Sequence, residues 1–266
     1  MALPQHESLA HDADDNFVVH AAWLQRATPG MTVKDDEGIV MIDSGLRCAP
    51  FNVVCRSRLG EKTARETVRR TLRYYRRIDR PFSWLLSPAD SPADLGDLLR
   101  GEGLVSDSSE LAMAADLATI PQEALPRGMK IERVVSREQL ADFAQINAEN
   151  RTPTYENFVS FYERVSTAVF RPDCPLKFFL GYVDGRPVAT SEVSENGPTA
   201  GLYNISTLAL FRRRGFGTAM AAWSILEARR KGASVAILQA SSAGVSIYRR
   251  LGFVGYGEVD EYRPVG

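Results

Sequence analysis

One run near the C-terminus, Thr207-Leu-Ala-Leu-Phe-Arg-Arg-Arg-Gly-Phe-Gly-Thr218, constrains this chain more than any other. It reads as a strand that enters an arginine- and glycine-rich turn and leaves as a helix. The first amides of a helix have no partner inside the helix, and the helix dipole adds partial positive charge there. Glycines at Gly215 and Gly217 keep Cβ atoms away from an approaching anion and permit backbone angles that other residues avoid. The turn therefore predicts a phosphate-bearing ligand held around residues 212–218. A Gly-x-Gly turn with solvated arginines is also an ordinary strand–helix connection, so the surrounding sequence has to decide.

The length of 266 residues suits two compact units, each able to bury its own core. A net charge of -1 argues against a general nucleic-acid-binding surface. Residues 1–15, MALPQHESLAHDADD, are polar and acidic, and are expected to be a disordered tail without the apolar core of a secretory signal. No apolar run reaches membrane-spanning length, so no membrane partner is expected. Cys48, Cys55 and Cys174 are odd in number and scattered, which fits structural thiols in a reducing cytoplasm. The only histidines are His6, His11 and His20. His6 and His11, with Asp12, are read as tail residues, and no metal site is expected. With no histidine after residue 20, hydrolase triads and dyads are disfavoured.

Pro121, Pro126 and Gly128 mark Ala118–Lys130 as a linker between two patterned regions, 16–120 and 129–266. Upstream, helices are predicted over Phe17–Gln25, Lys62–Arg77 and Asp90–Gly101, with strands at Gly38–Ile42, Cys48–Val54 and Phe82–Leu86. Downstream, a strand at Lys130–Val134 precedes helices at Arg137–Ala148 and Thr154–Val169. Asp184-Gly185 turns Lys177–Val183 into Pro187–Val193, and Asn196-Gly197 leads into Thr199–Leu210. A helix over Gly217–Lys231, a strand at Val235–Gln239, a short helix at Ala243–Arg250 and a strand at Gly252–Glu258 complete the pattern.

This order, with two motifs, resembles the GCN5-related N-acetyltransferase (GNAT) superfamily over about residues 129–266. The first motif, Arg/Gln-x-x-Gly-x-Gly/Ala after the fourth strand, appears as Arg212-Arg213-Arg214-Gly215-Phe216-Gly217. The second, an aromatic acid on a short helix ending in Leu-Gly-Phe, appears as Tyr248-Arg249-Arg250-Leu251-Gly252-Phe253. The resemblance implies that Arg212, Arg213, Arg214, Gly215, Phe216, Gly217 and Thr218 hold the diphosphate of acetyl-CoA, used as co-substrate. Backbone groups near Ile205 and Thr207 would pair with the pantetheine arm, and a strand amide would polarise the thioester carbonyl. Tyr248 would return a proton to the leaving thiolate, since a phenol of pKa about 10 is protonated at neutral pH. Where many relatives carry Asn at the end of the fifth strand, this chain has Ser241, which offers a shorter hydrogen-bonding reach.

The N-terminal half reads as a worn copy. Leu98-Leu99-Arg100-Gly101-Glu102-Gly103-Leu104-Val105 lines up with Ile247–Val254, but Leu99 replaces the tyrosine and Arg56-Ser-Arg58-Leu-Gly60 lacks the second glycine. An unrelated α/β domain is the alternative. The expected architecture is α/β (α+β): two GNAT-like domains in tandem, each a mixed, mostly antiparallel twisted sheet flanked by helices, the C-terminal sheet splayed to admit acyl-CoA.

The expected reaction is direct transfer of an acetyl or longer acyl group to an amine, on a small molecule or a protein. A lysine-like amine of pKa about 10.4 must lose a proton first, which costs roughly 4–5 kcal/mol at pH 7. Glu192 is the candidate base, although an exposed strand carboxylate is an equal reading. Asn204 either orients the acceptor or bonds within the sheet. Tyr155, Phe158, Phe161, Tyr162 and Phe170 are core packing or an apolar acceptor pocket, and the basic stretch Arg65–Arg77 is a solvated face or a docking surface. A homodimer is compatible with all of this, and a non-catalytic acyl-CoA sensor is the competing function.

Overall fold

The computed structural model describes residues 6–36, 38–120, 126, 128–151 and 157–265. In chain order its elements are α1 (His6–Arg26), β1 (Thr32–Asp36), β2 (Ile39–Asp43), β3 (Val53–Cys55), α2 (Glu61–Arg77), β4 (Ser83–Leu86), α3 (Leu95–Gly101) and β5 (Leu104–Asp116). There follow β6 (Met129–Arg133), α4 (Arg137–Glu149), α5 (Phe158–Val169), β7 (Leu176–Val183), β8 (Arg186–Asn196), β9 (Thr199–Thr207), α6 (Phe216–Arg230), β10 (Val235–Ala240), α7 (Val245–Arg250) and β11 (Val254–Pro264). Helix starts follow local chemistry. Ser136 caps α4 by accepting from the Gln139 amide at 3.2 Å, and α6 opens at Gly215 with a positive φ of 85°.

The strands form one sheet in the order β1-β2-β3-β4-β11-β5-β10-β9-β8-β7-β6. The pairings are antiparallel except for β3–β4 and β9–β10. The mixed, mostly antiparallel architecture is as expected, but two separate sheets are not what forms. The last strand of each half crosses into the other half: β5 pairs with β10, and β11 pairs with β4. Between them β5 and β11 run antiparallel, from Leu104 opposite Pro264 to Ala114 opposite Val254. The four central strands are thus related by an approximate two-fold axis, and the sheet runs unbroken past the linker. That linker lies partly outside the described residues, at 121–125 and 127. β5 has no counterpart among the expected strands. Its first half, Val105-Ser-Asp-Ser-Ser109, is polar and exposed, and only Ala112–Asp116 is buried throughout.

Residues 6–15, expected as a disordered tail, are the first half of α1, and this is a correction. Leu9, Ala10 and Ala13 are buried, and Leu9 and Ala13 pack on Ala114 of β5 and Val235 and Ile237 of β10. Further along α1, Val18 and Ala22 meet Val40, Ile42, Val53 and Cys55 of the N-terminal half. Leu24 joins the cluster of α4 and α5. The helix therefore bridges both halves. Its contact side sets Ala10, Ala13, Asn16 and Ala22 between Leu9, Val18 and Leu24, so small residues concealed its periodicity.

Asn16 fixes this helix in register. It is fully buried and its Nδ2 donates to Ser194 O and Thr199 O, each at 3.0 Å. The close approach requires Gly201, where a Cβ would sit 2.2 Å from Asn16 Oδ1.

Smaller differences have local causes. The strand expected at Cys48–Val54 becomes a 3₁₀ turn at Ala49–Phe51, with Pro50 in its first positions, followed by β3. The strand expected to reach Leu210 ends at Thr207 and passes into a second 3₁₀ turn. The start of α5, expected at Thr154, falls among residues 152–156, outside the described residues, as does Tyr155. All three cysteines are free and buried, and burial pushes each thiol up, Cys48 to about 12. Among the described residues, no helix is long and apolar enough to cross a membrane.

Leu9→Ala should lower the unfolding free energy by about 2–4 kcal/mol through the cavity it leaves under α1. The check is a chemical denaturation midpoint. An unchanged midpoint would mean that this part of the chain contributes nothing to the fold.

Candidate active site

β9 and β10 are hydrogen-bonded only from Thr199 to Gly201 and from Val235 to Ile237. Beyond that point they part. The parting coincides with a β-bulge: Thr190 faces Ser206 and Glu192 faces Tyr203, so β9 holds one residue more than β8 between these pairs. Asn204 sits in the bulge with a φ of +49°, a left-handed conformation that asparagine tolerates better than most residues. Its displaced carbonyl accepts from Thr190 Oγ1 at 2.7 Å. Ser206 Oγ donates to Asn147 Oδ1 at 3.0 Å, and Asn147 Nδ2 donates to Thr190 Oγ1 at 3.2 Å, tying α4 to the bulge.

The opened edge walls a cleft of about 450 Å³ that also contains His20, Glu110, Ser241 and Tyr248. Its wall is shared by both halves, since Ser83 of β4, Ser108 of β5 and Glu261 and Arg263 of β11 complete it. Glu261 is saturated: it accepts from Ser83, from Ser108 at 3.1 Å and from both Nε and Nη2 of Arg263. Burial works against its charge, but these donors outweigh it and hold the carboxyl below its ordinary range. Glu110 lacks such donors among the described residues. Burial, then repulsion from Glu261, pushes its carboxyl up.

In the turn that follows β9, the amides of residues 213–218 have no acceptor among the described residues. The first satisfied amide is that of Ala219, which donates to Gly215 O at 3.0 Å. The three arginines differ in use. Arg212 is exposed but bonds back onto the protein, with Nε donating to Thr207 O at 3.1 Å and Nη2 to Asn150 Oδ1. Arg214 lies over the rings of Phe211 and Phe216, at 5.6 and 5.4 Å. Arg213 is exposed and has a φ of +62°. Gly217 lies beside Thr207, whose Oγ1 is 3.6 Å from where its Cβ would be. The turn thus joins β9 through Thr207, and Ile205 and Thr207 fall on the part of β9 that has left β10.

Tyr248, on α7, enters the cleft with its ring edge-on to Phe253. Burial, and secondarily the Glu110 carboxyl, push its phenol up to about 12. Leu99, its counterpart in the N-terminal half, is fully buried in that half's core.

Glu192, the sequence's candidate base, does not line the cleft. It is 1% exposed, and both oxygens are engaged: Oε1 with His20 Nδ1 at 2.7 Å and Oε2 with Asn204 Nδ2 at 2.8 Å. His20, which sequence reasoning missed, stands between Glu192 and the cleft. Its ring stacks on Tyr203 at 3.9 Å, with 13° between the planes. The available signal was the Asn16/His20 spacing of one helical turn at the start of the helix expected over Phe17–Gln25. Phe158, Phe161 and Tyr162 are core residues. The basic helix is a solvated face, with Arg65 and Arg69 paired to Glu102 at 2.7 and 2.9 Å and Arg73 to Glu66 at 2.7 Å.

Residues 140–253 match the family model of the acetyltransferase (GNAT) family. The described fold is similar to a GCN5-related N-acetyltransferase from Kribbella flavida, with a TM-score of 0.74 at 18% identity, covering 100% of this chain and 97% of that one. A tandem GNAT protein from the clavulanic acid biosynthesis pathway gives a TM-score of 0.62 at 12% identity, over 97% of this chain and 95% of that one. A GCN5-related N-acetyltransferase from Sphaerobacter thermophilus gives 0.58 at 16% identity, over 98% and 96%. None of the curated proteins matches this chain by sequence. Residues 140–253 thus match the GNAT family model, and the fold along the whole length is similar to that of GNAT proteins, a tandem one among them. Family and fold together support an acyl-transfer function.

A raised pKa keeps the Tyr248 phenol protonated through neutral and mildly alkaline pH. Difference absorbance titration of the wild type against Tyr248→Phe should therefore show one tyrosine ionising near 12, and Glu110→Gln should move it downward. Ionisation at or below the free value of about 10 would contradict the buried placement of this ring.

Proposed function

We propose that this chain is an acetyl-CoA-dependent N-acyltransferase that transfers the acyl group directly to an amine in the cleft between β9 and β10. The observation that carries this reading is the parted strand edge, which ends in a turn whose amides lack acceptors among the described residues and which faces Tyr248.

The residues present suit the diphosphate and pantetheine of acetyl-CoA. The amides of Arg213, Arg214, Gly215, Phe216, Gly217 and Thr218 offer donors at the positive end of α6, and Arg213 adds an exposed guanidinium with no partner among the described residues. The Arg212 head group braces the turn against Thr207 and Asn150, and its amide donates to Ala209 O at 3.3 Å. The edge of β9 at Ile205 and Thr207 offers peptide groups to the pantetheine amides, and the hydroxyl of Ser241 faces them from the end of β10. Bound acetyl-CoA supplies an activated thioester. The β9 edge amides polarise its carbonyl, and Tyr248 holds the proton that a departing thiolate needs. The buried, high-pKa cysteines are unsuited to carry an acyl group, which favours direct transfer over a covalent relay.

The acceptor enters from the side walled by β4, β5 and β11. Ser83, Ser108, Glu110, Glu261 and Arg263 give this wall a polar, mixed-charge lining that suits a hydrophilic amine better than an apolar one.

Acetyl-CoA should bind at least about tenfold more tightly than acetyl-pantetheine, which lacks the diphosphate, and Arg213→Glu should remove most of that difference. Calorimetry on the two ligands decides it, and equal affinities would take the turn out of ligand binding. Tyr248→Phe should lower kcat by about 10- to 100-fold and leave acetyl-CoA affinity unchanged, as read by thiol release. Full turnover in that variant would remove the phenol from the reaction.

A further inference from the structure

We infer that His20, delivered by the N-terminal helix α1, is the general base for the acceptor amine, and that Glu192 is its positioning residue. The inference rests on the acyl-transfer reading above and adds a catalytic residue from outside the segment matched by the family.

Four observations carry it. First, the cleft wall includes His20 and excludes Glu192. Second, the two are joined by a 2.7 Å contact between Nδ1 and Oε1. An ionised carboxylate can only accept, so in the neutral imidazole this contact assigns the proton to Nδ1 and leaves the lone pair on Nε2. Nε2 has no partner among the described residues. Third, Glu192 is held by a second donor, Asn204 Nδ2 at 2.8 Å, and Asn204 is itself fixed by the bulge that opens the cleft. Fourth, stacking on Tyr203 sets the plane of the ring, and the Tyr203 hydroxyl is anchored by donation to Asn16 Oδ1 at 3.2 Å. Acceptor, positioner and orienting groups thus come from α1, β8 and β9, and meet at the point where the strand edge opens. This is the carboxylate–imidazole logic of an activated base, built here for an amine.

The step balances with the groups named. His20 Nε2 first takes a proton from the ammonium form of the acceptor and passes it to solvent, which frees the nitrogen lone pair to bond to the thioester carbon. The C–S bond breaks, sulfur leaves with the electron pair, and it takes the proton of Tyr248. The nitrogen's surplus proton then returns to the Tyr248 phenolate, so the enzyme is back in its starting state with amide and thiol as products. Two residues divide the work: His20 removes the proton and Tyr248 supplies one.

The test compares the wild type with His20→Gln, using ethylamine and hydroxylamine as acceptors and following thiol release from acetyl-CoA. Ethylamine is almost wholly protonated at neutral pH and needs a base, whereas hydroxylamine is already neutral. His20→Gln should slow transfer to ethylamine by about 10²–10⁴, slow transfer to hydroxylamine far less, and leave acetyl-CoA affinity unchanged by calorimetry. Equal losses with both amines, or no loss, would overturn the base assignment and leave the acyl-transfer reading standing. A wild type that binds no acetyl-CoA, or binds it and releases no thiol with either amine, would overturn that reading and this inference with it. Glu192→Gln is the second arm and guards against a misfolded His20 variant. It should slow transfer to ethylamine about tenfold and shift the His20 Nδ1 resonance in a ¹⁵N spectrum that contains only three histidines. An unmoved resonance with full activity would exclude the pair.

Discussion

Everything the cleft can do depends on two parallel strands ceasing to pair. β9 and β10 share only three residues each, and the separation is enforced on the β9 side. The extra residue at Asn204, its left-handed backbone and the Thr190 hydroxyl that satisfies its carbonyl all turn β9 away from its neighbour. An unpaired strand edge is ordinarily a liability, since its peptide groups lack partners. Here that edge is followed, after the 3₁₀ turn at Ala209–Phe211, by the helix start at Gly215, where the amides of residues 213–218 lack acceptors among the described residues.

The surroundings of that edge are assembled from both halves of the chain. α1 crosses the seam, with Leu9 and Ala13 on β5 and β10, Asn16 on β8 and β9, and Val18 and Ala22 on β2 and β3. A helix fixed at so many points is a rigid platform, and His20 stands one turn from its best-anchored residue. The polar wall opposite arises where β4, β5 and β11 exchange partners. The N-terminal half, whose own tyrosine position is occupied by buried Leu99, contributes to the cleft by position and not by a second set of the same chemistry.

The C-terminal half was legible because its information is local. The Arg-Arg-Arg-Gly-Phe-Gly turn, the hairpin at Asp184-Gly185 and the tyrosine ahead of Leu251-Gly252-Phe253 each state their geometry within a few residues. What stayed hidden depends on distant partners. β5 is half polar, because its first residues lie in the exposed part of the sheet and only Ala112–Asp116 is fully covered. The buried face of α1 sets alanines and Asn16 between Leu9, Val18 and Leu24, so its apolar stripe is broken, and residues 6–15 passed for a tail. The burial of Glu192 behind His20 was hidden for a related reason. Strand alternation places a side chain on one face of a sheet, but it cannot tell whether a helix remote in sequence lies between that face and a ligand.

The exchange of final strands gives the molecule a further property. Each half supplies the edge against which the other half is closed, as two subunits would in an intertwined pair, except that a peptide linker joins them. Isolated, either half would lose a strand it does not encode and expose the neighbour meant to receive it. The tether keeps the two halves permanently at high effective concentration, and so this chain acts as its own dimerisation partner.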